Sequence, residues 1–538
     1  MVTIFSTRSG LGLLAGAVLA VTVTFGAAPV KAQVTPFMQA VAEAAALDDE
    51  LAGFYRENMY QPIWTGQDET HAARREALFS ALMRAGEHSL PVQSYDIDGL
   101  MAKLRNIETE RDLGLAEVAL SRVFVKYAHD VQTGILIPRS VDSGIVRDPH
   151  RRDGAELLQE FSETSPVAFL RSLPPRTSEY SRLLKAKMKL EKQLASGGWG
   201  PRVPARSLRP GQSGDSVVAL RNRLIAMGYM GRSVSRTYDA EMEKAVSLFQ
   251  FDNGLENDGV AGPGTMTEIN RQIEDRLPNI LVAMEREWWM NFDRGDRHVW
   301  VNLTDFSAAI VDHGEVTFQT RSVIGKNVSD RRSPEFSDTM EYMEINPYWN
   351  VPRSISVGEY LPGMIASGGA SAGHLELVDW KGRVVSRGSV NWGRYSPRNF
   401  PYDLRQPPSR GNALGLVKFM FPNPQNVYLH DTNAKSLFSR EVRAFSHGCI
   451  RLNDPFDFAY ELLRPQTADP VEYFQTRLRS GQNTRVPLET QIPVHLVYRT
   501  AFVSGKGRLN FRRDVYGRDA KIFDALMRAG VALGNVQS

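Results

Sequence analysis

The stretch Ser446-His447-Gly448-Cys449-Ile450-Arg451 holds the only cysteine in 538 residues. A thiol becomes a useful nucleophile when a nearby imidazole takes its proton and a third group holds the other ring nitrogen. Two histidines are candidates for that imidazole. His447 lies two residues before Cys449, and side chains so close in sequence rarely aim at each other. His430 lies nineteen residues earlier, with enough chain between to loop out and return, so it is the better base. Gly448 allows a sharp turn that brings the N–H groups of Gly448 and Cys449 toward an oxyanion.

Other chemistries fit less well. Zinc binding by Cys449, His447 and His430 lacks a second cysteine, and neither histidine has the H-x-x-x-H or C-x-x-C spacing of a metal site. An inert core cysteine is the ordinary reading of an isolated thiol, but not of one beside a histidine and a glycine. Gly369-Ala370-Ser371-Ala372-Gly373 matches the G-x-S-x-G pattern of serine hydrolases. That elbow needs a buried strand before it and a helix after it. The residues before it are too broken for such a strand, and "HLELVDW" after it alternates like a strand.

The elements that must position these residues fall into several units. The length and the ordinary balance of 42% hydrophobic and 23% charged residues indicate three or four packed domains. A net charge of +3, with no dense basic run, argues against nucleic acid as a partner. Residues 1–32 read as an export signal: Arg8, an apolar run from Leu11 to Phe25, and Val30-Lys31-Ala32 with small residues near the cleavage point after Ala32. Cleavage leaves a mature charge of +1. An uncleaved signal is the alternative, and the only expected membrane contact. In an oxidising envelope a single cysteine has no internal partner, which leaves its thiol free to react.

Residues 33–200 read as mostly helical, with Leu78, Phe79, Leu82 and Met83 on one helical face and Leu113, Leu120, Phe124 and Tyr127 on another. A Gly-, Pro- and Arg-rich linker covers 195–212. Residues 206–276 form a small bundle of three amphipathic helices: Val217, Leu220 and Leu224 share one face, Met242, Ala245 and Phe249 a second, and Met266, Ile269 and Ile273 follow a helix start at Pro263. Beyond Pro278 the pattern becomes mainly β, with a hairpin turn at Asp312-His313-Gly314-Glu315 and His430 at the end of the alternating run Asn426–His430. Asp454-Pro455 signals a helix soon after Cys449. The chain is therefore multidomain α+β, its last unit covering 280–538 with an aromatic, glycine-rich insert at about 355–405.

Two resemblances sharpen this reading. The bundle, with its Gly-Asp-Ser-Val opening, Phe249-Gln250 and Asp258-Gly259-Val260-Ala261-Gly262-Pro263 before Thr265, resembles the peptidoglycan-binding domain family. His430 followed by Ser446-His447-Gly448-Cys449-Ile450-Arg451 resembles the signature of L,D-transpeptidases of the YkuD fold. Asn346-Pro347-Tyr348-Trp349-Asn350-Val351-Pro352, the stretch from Asn412 to Phe419, and "FYRENMYQPIW" (54–64) extend the likeness to the large periplasmic members with a helical scaffold domain. The resemblance implies Cys449 as nucleophile, His430 as base, and the backbone carbonyl of Asp431 as orienter of the imidazole. It implies that His447 and Gly448 shape the oxyanion site, that Arg451, Asn412 and Ser446 bind substrate, and that the insert is a lid. For Arg451 a structural ion pair is the competing reading.

The activity implied is acyl transfer in the periplasm through an acyl-cysteine. Cys449 attacks the third residue of a tetrapeptide stem, expels the terminal D-Ala, and passes the acyl group to a second stem as a 3→3 cross-link. The implied partners are peptidoglycan stem peptides and glycan; no metal or organic cofactor is implied, and a carbapenem should acylate the same thiol. Hydrolysis of the acyl-enzyme, as in a carboxypeptidase, and tethering of an envelope protein share that intermediate. An inactive wall-binding scaffold is a further alternative, disfavoured by the intact Cys449, His430 and Gly448.

Overall fold

The computed structural model describes residues 34–532; the expected export signal at 1–32 lies outside them. Among the described residues no helix is long and apolar enough to cross a membrane.

The N-terminal helices pack around the longest of them, Glu110–Thr133, which opens with a capping box between Thr109 and Asp112. Its buried Glu117 accepts hydrogen bonds from the backbone N–H groups of Ile63 (2.7 Å), Trp64 (3.2 Å) and Thr65 (2.9 Å). A carboxylate is tolerated there because its lone pairs are filled by fixed donors. The contact holds the Pro62-Ile63-Trp64 segment, and the Trp64 ring stacks on Phe161 at 5.0 Å between centroids. Leu78, Phe79 and Leu82 are buried as their spacing predicts, whereas Met83, the last residue of its helix, is 58% exposed.

The bundle consists of helices Asp215–Met227, Ala240–Asp252 and Pro263–Ile269, with Val217, Leu220, Leu224, Met242 and Phe249 in its core. Ile273 does not extend its third helix. It starts a separate helix, Ile273–Trp289, that runs through Pro278 and across the expected 276–280 boundary, so strands begin only at Arg297.

Among the described residues the β unit comprises fifteen strands. The first four are β1 (Arg297–Asn302), β2 (Ser307–Asp312), β3 (Glu315–Gly325) and β4 (Phe336–Ile345). The insert adds β5 (Trp349–Asn350), β6 (Glu376–Val378), β7 (Val384–Val385) and β8 (Asp403–Gln406). Then come β9 (Val417–Met420), β10 (Leu429–His430), β11 (Ala444–Ser446), β12 (Ile450–Leu452), β13 (Thr484–Val497) and the hairpin β14 (Ala501–Val503) and β15 (Leu509–Phe511).

The main sheet runs β11-β3-β12-β10-β9-β4-β13-β1-β2. The turn between β2 and β3 is the expected one, with positive φ at His313 (50°) and Gly314 (84°). Long β3 pairs with β2 over its first part and with β12 and β11 over its last. The sheet therefore curls back on itself around Val301, Met343, Phe419, Leu429 and Ile450, each such side chain contributing about 1.5–3 kcal/mol by leaving water. The insert is a separate small layer, β5-β8-β6-β7, with its own core of Leu361, Met364, Leu377, Trp392 and Phe400.

A buried charge network locks the helices to the sheet. Arg286 of helix Ile273–Trp289 pairs with Glu335 (3.2 Å) and Asp519 (2.6 Å), and Arg518 pairs with Glu335 (3.2 Å). Breaking one member of such a pair typically costs about 3–5 kcal/mol, since a buried charge is left uncompensated. Arg518 also donates to the Ser333 carbonyl at 3.0 Å, and Ser333 reaches the cysteine loop.

Candidate active site

Strands β10 and β12 are parallel neighbours, with Leu429 opposite Ile450 and His430 opposite Arg451. The Ile450 N–H donates to the Tyr428 carbonyl at 3.1 Å, which brings Tyr428 beside Cys449. Because side chains alternate along a strand, Tyr428, His430, Cys449 and Arg451 share one face. The topology thus gathers residues twenty positions apart in sequence without any long lever.

His430 is buried, and its Nδ1 donates to the backbone carbonyl of Asp431 at 2.5 Å. That tautomer leaves Nε2 as the basic nitrogen. The Asp431 carboxylate is engaged elsewhere, accepting from the Leu416 N–H at 2.9 Å and pairing with Lys435 at 2.8 Å. Gly415 has φ 65°, and a Cβ there would meet that carboxylate at 2.2 Å, so the turn before β9 needs glycine.

Cys449 is half-buried, and its thiol is directed to the Asn426 carbonyl at 3.6 Å rather than to His430. Burial pushes the thiol up to about 11, offset in part by the Tyr428 N–H and hydroxyl and by Arg451. Burial, reinforced by Arg451, pushes the His430 imidazole down to about 3. The resting pair is therefore thiol and neutral imidazole, not thiolate and imidazolium. A nucleophilic role for this thiol with His430 as base would require proton transfer during attack, after a turn of the cysteine side chain toward Nε2.

The cysteine loop is fixed by two serines. Ser446 Oγ donates to the Cys449 carbonyl (2.6 Å) and accepts from the Gly448 N–H (3.1 Å), while Ser333 Oγ donates to the Gly448 carbonyl (2.6 Å). Gly448 has φ 123°, which side-chain-bearing residues rarely adopt. These bonds engage three of the expected site residues. The Gly448 N–H is bonded to Ser446, while the Cys449 N–H has no protein acceptor among the described residues. Ser446 is buried and braces this loop. Asn412 is likewise fully buried, donating to the carbonyls of Pro347 (3.1 Å) and Pro407 (3.0 Å) and accepting from the Leu414 N–H (2.8 Å). Its amide thus joins its own turn to the Pro347 segment 65 residues earlier.

Arg451 behaves oppositely. Its guanidinium has no acidic partner among the described residues, and its Nε is buried without an acceptor. The competing ion-pair reading thus lacks a partner, and an unpaired cation beside Cys449 and His430 is suited to an incoming carboxylate.

Three contributors were not legible in the sequence. Tyr428 lies beside the sulfur, and burial followed by Cys449 itself holds its hydroxyl well above the ordinary tyrosine value, so it remains a donor. Ser333 comes from a loop more than a hundred residues before the cysteine. Glu359, in the insert turn Ser356–Tyr360, accepts from His447 Nε2 at 2.8 Å and pairs with Arg331 at 2.7 Å. His447 therefore faces the insert and joins it to the cysteine loop. Ser371 lies between helix Leu361–Ala366 and β6, the reverse of the order a nucleophile elbow requires.

Glu359→Gln should loosen the insert without unfolding the sheet, because the pair is half-exposed and worth about 1 kcal/mol or less. Amide exchange across 353–406 is expected to quicken several-fold with an unchanged melting temperature. Unaltered exchange would show that the insert is held by its other contacts.

Residues 296–475 match the family model of the L,D-transpeptidase catalytic domain, residues 213–269 that named "Putative peptidoglycan binding domain", and residues 49–186 that of a scaffold domain. A Haemophilus influenzae protein named "Putative L,D-transpeptidase" is 31% identical over 225 residues, which is 42% of this chain and 45% of that protein. This chain thus spans less than half of that curated relative. Among solved structures, an L,D-transpeptidase from Xylanimonas cellulosilytica is 14% identical, covering 55% of this chain and 98% of its own, with a TM-score of 0.17. One from Stackebrandtia nassauensis is 15% identical, covering 55% and 97%, with a TM-score of 0.20.

Proposed function

Because the chain carries a catalytic domain of the YkuD L,D-transpeptidase family, preceded by a scaffold domain and a domain of the peptidoglycan-binding family, we propose that it is a cysteine-dependent L,D-transpeptidase acting on peptidoglycan. The observation that carries this reading is the shared face of Cys449, His430 and unpaired Arg451, with His430 Nδ1 held by the Asp431 carbonyl.

In the proposed reaction His430 Nε2 takes the thiol proton as sulfur attacks the carbonyl of the third residue of a tetrapeptide stem. The oxyanion is met by the Cys449 N–H and the Tyr428 hydroxyl. The same imidazole returns the proton to the departing D-Ala amine, leaving a thioester on Cys449. An amine of a second stem attacks that thioester, its proton passes to Nε2, and the regained thiol releases a 3→3 cross-linked product. Arg451 holds a stem carboxylate, and the insert shields the thioester from water. No metal or organic cofactor enters these steps. In this proposal the protein works in the periplasm, with residues 1–32 as its export signal.

Purified disaccharide-tetrapeptide should yield D-Ala and a dimer of matching mass. A hydrolysed tripeptide as the main product would make the protein a carboxypeptidase. A conjugate with an envelope protein, formed in preference to the dimer, would make it a tethering enzyme.

A further inference from the structure

A cavity of about 370 Å³, lined by none of the residues around Cys449, lies where three parts of the chain meet: the last scaffold helix, Ser178–Ala195, the bundle, and the β14–β15 hairpin. Its walls are tied to one another. Gln193 donates to the Ala226 carbonyl at 2.7 Å, joining scaffold to bundle, and Arg508 of the hairpin pairs with Asp252 of the bundle at 3.1 Å. Arg512 donates to the Asp252 carbonyl at 2.9 Å.

The lining has two characters. Trp199, Tyr229 and Phe249 provide aromatic surface, the last two ring-to-edge at 5.3 Å. Arg182, Lys185 and Lys189 stand at i, i+3 and i+7 on one face of the scaffold helix, and none has an acidic partner among the described residues. The other cations of the lining are already matched, Arg508 by Asp252 and Arg276 by Glu268 at 2.9 Å. What remains is an aromatic floor under a row of unpaired positive charge. Aromatic faces stack on the C–H faces of sugars, and lysines and arginine hold carboxylates. At about 370 Å³ the space suits a short saccharide rather than a folded partner.

We infer that this cavity binds an anionic saccharide, the glycan of peptidoglycan with its stem carboxylates on the helix cations. This rests on the proposed wall substrate but not on the chemistry at Cys449. The wall-binding site is then composite: the bundle supplies Tyr229 and Phe249, the segment just after the scaffold helix supplies Trp199, that helix supplies charge, and the hairpin after the catalytic sheet closes the wall. Held there, the polymer keeps acceptor stems at high local concentration around the thioester.

The test uses the full chain, with disaccharide-tetrapeptide and a neutral N-acetylglucosamine tetramer as probes. Lys185→Glu combined with Lys189→Glu should weaken disaccharide-tetrapeptide binding roughly tenfold or more and leave the neutral tetramer nearly unchanged. Trp199→Ala should weaken both. The rate of carbapenem adduct formation should match wild type in every variant, which also reports that the fold is intact. Unchanged binding of disaccharide-tetrapeptide by the charge-reversed chain would overturn the inference, as would equal loss of both probes in that variant. If wild type bound as expected but formed no carbapenem adduct, the catalytic reading would fall and this site would stand.

Discussion

Cys449→Ala is expected to abolish D-Ala release and carbapenem adduct formation while the protein melts within a few degrees of wild type. The two effects separate because the loop does not depend on the sulfur. Its turn is held through backbone carbonyls, by Ser446 on Cys449 and by Ser333 on Gly448, and alanine keeps both. What is lost is a weak thiol contact to Asn426 and the only atom able to form the thioester. Loss of a nucleophile from a unit of coupled catalytic groups costs roughly 10⁴-fold or more. The chain has one thiol in 538 residues, so a single alkylation by iodoacetamide should silence wild type to the same degree. D-Ala release at the wild-type rate by the alanine variant would sink the cysteine mechanism.

His430→Ala should cost about 10²-fold or more in the second-order rate of carbapenem acylation at pH 7. With the thiol held at about 11, only about 10⁻⁴ of it is thiolate at neutral pH, so acylation without a base runs on that fraction. The variant should therefore quicken about tenfold per pH unit above neutrality until pH approaches 11, which is the direction of rescue. Wild type should behave differently. The free imidazole, pushed down to about 3, is in its base form throughout pH 5–8, so the wild-type rate should stay flat there and fall only as pH drops toward 3. His447→Ala should slow the reaction without that slope, since His447 is bonded to Glu359 of the insert. A flat profile for His430→Ala, with the slope appearing in His447→Ala, would reassign the base.

Much of the site was legible from residue types. A lone cysteine beside His447 and Gly448 indicated nucleophilic chemistry, and the alternation Asn426–His430 located His430 at a strand end, where β10 places it. The Asp431 carbonyl also sits on the imidazole as the resemblance implied. The bundle helices were legible from period and from Pro263, but Ile273 was not: a new helix begins there after Gln272, and apolar period alone does not mark such a break. Two of the expected substrate-binding residues share a feature that residue type does not reveal. Asn412 and Ser446 sit in the motif region and carry polar groups, yet those groups are consumed by the backbone around them.

The sequence by itself pointed to Cys449 as the candidate nucleophile and His430 as its candidate base, and determined the succession of helical, bundle and β units, because these follow from residue chemistry and from local periodicity. Only the tertiary structure decided which polar groups are spent and which are free. Parallel pairing of β10 with β12 set Tyr428 and Arg451 beside the sulfur, and packing of the insert brought Glu359 to His447 across 88 residues. The physical reason is that a polar side chain acts on substrate only where protein has not already satisfied it. Its competing partner usually arrives from a distant segment, whose position is set by burial of the apolar faces rather than by neighbours in sequence.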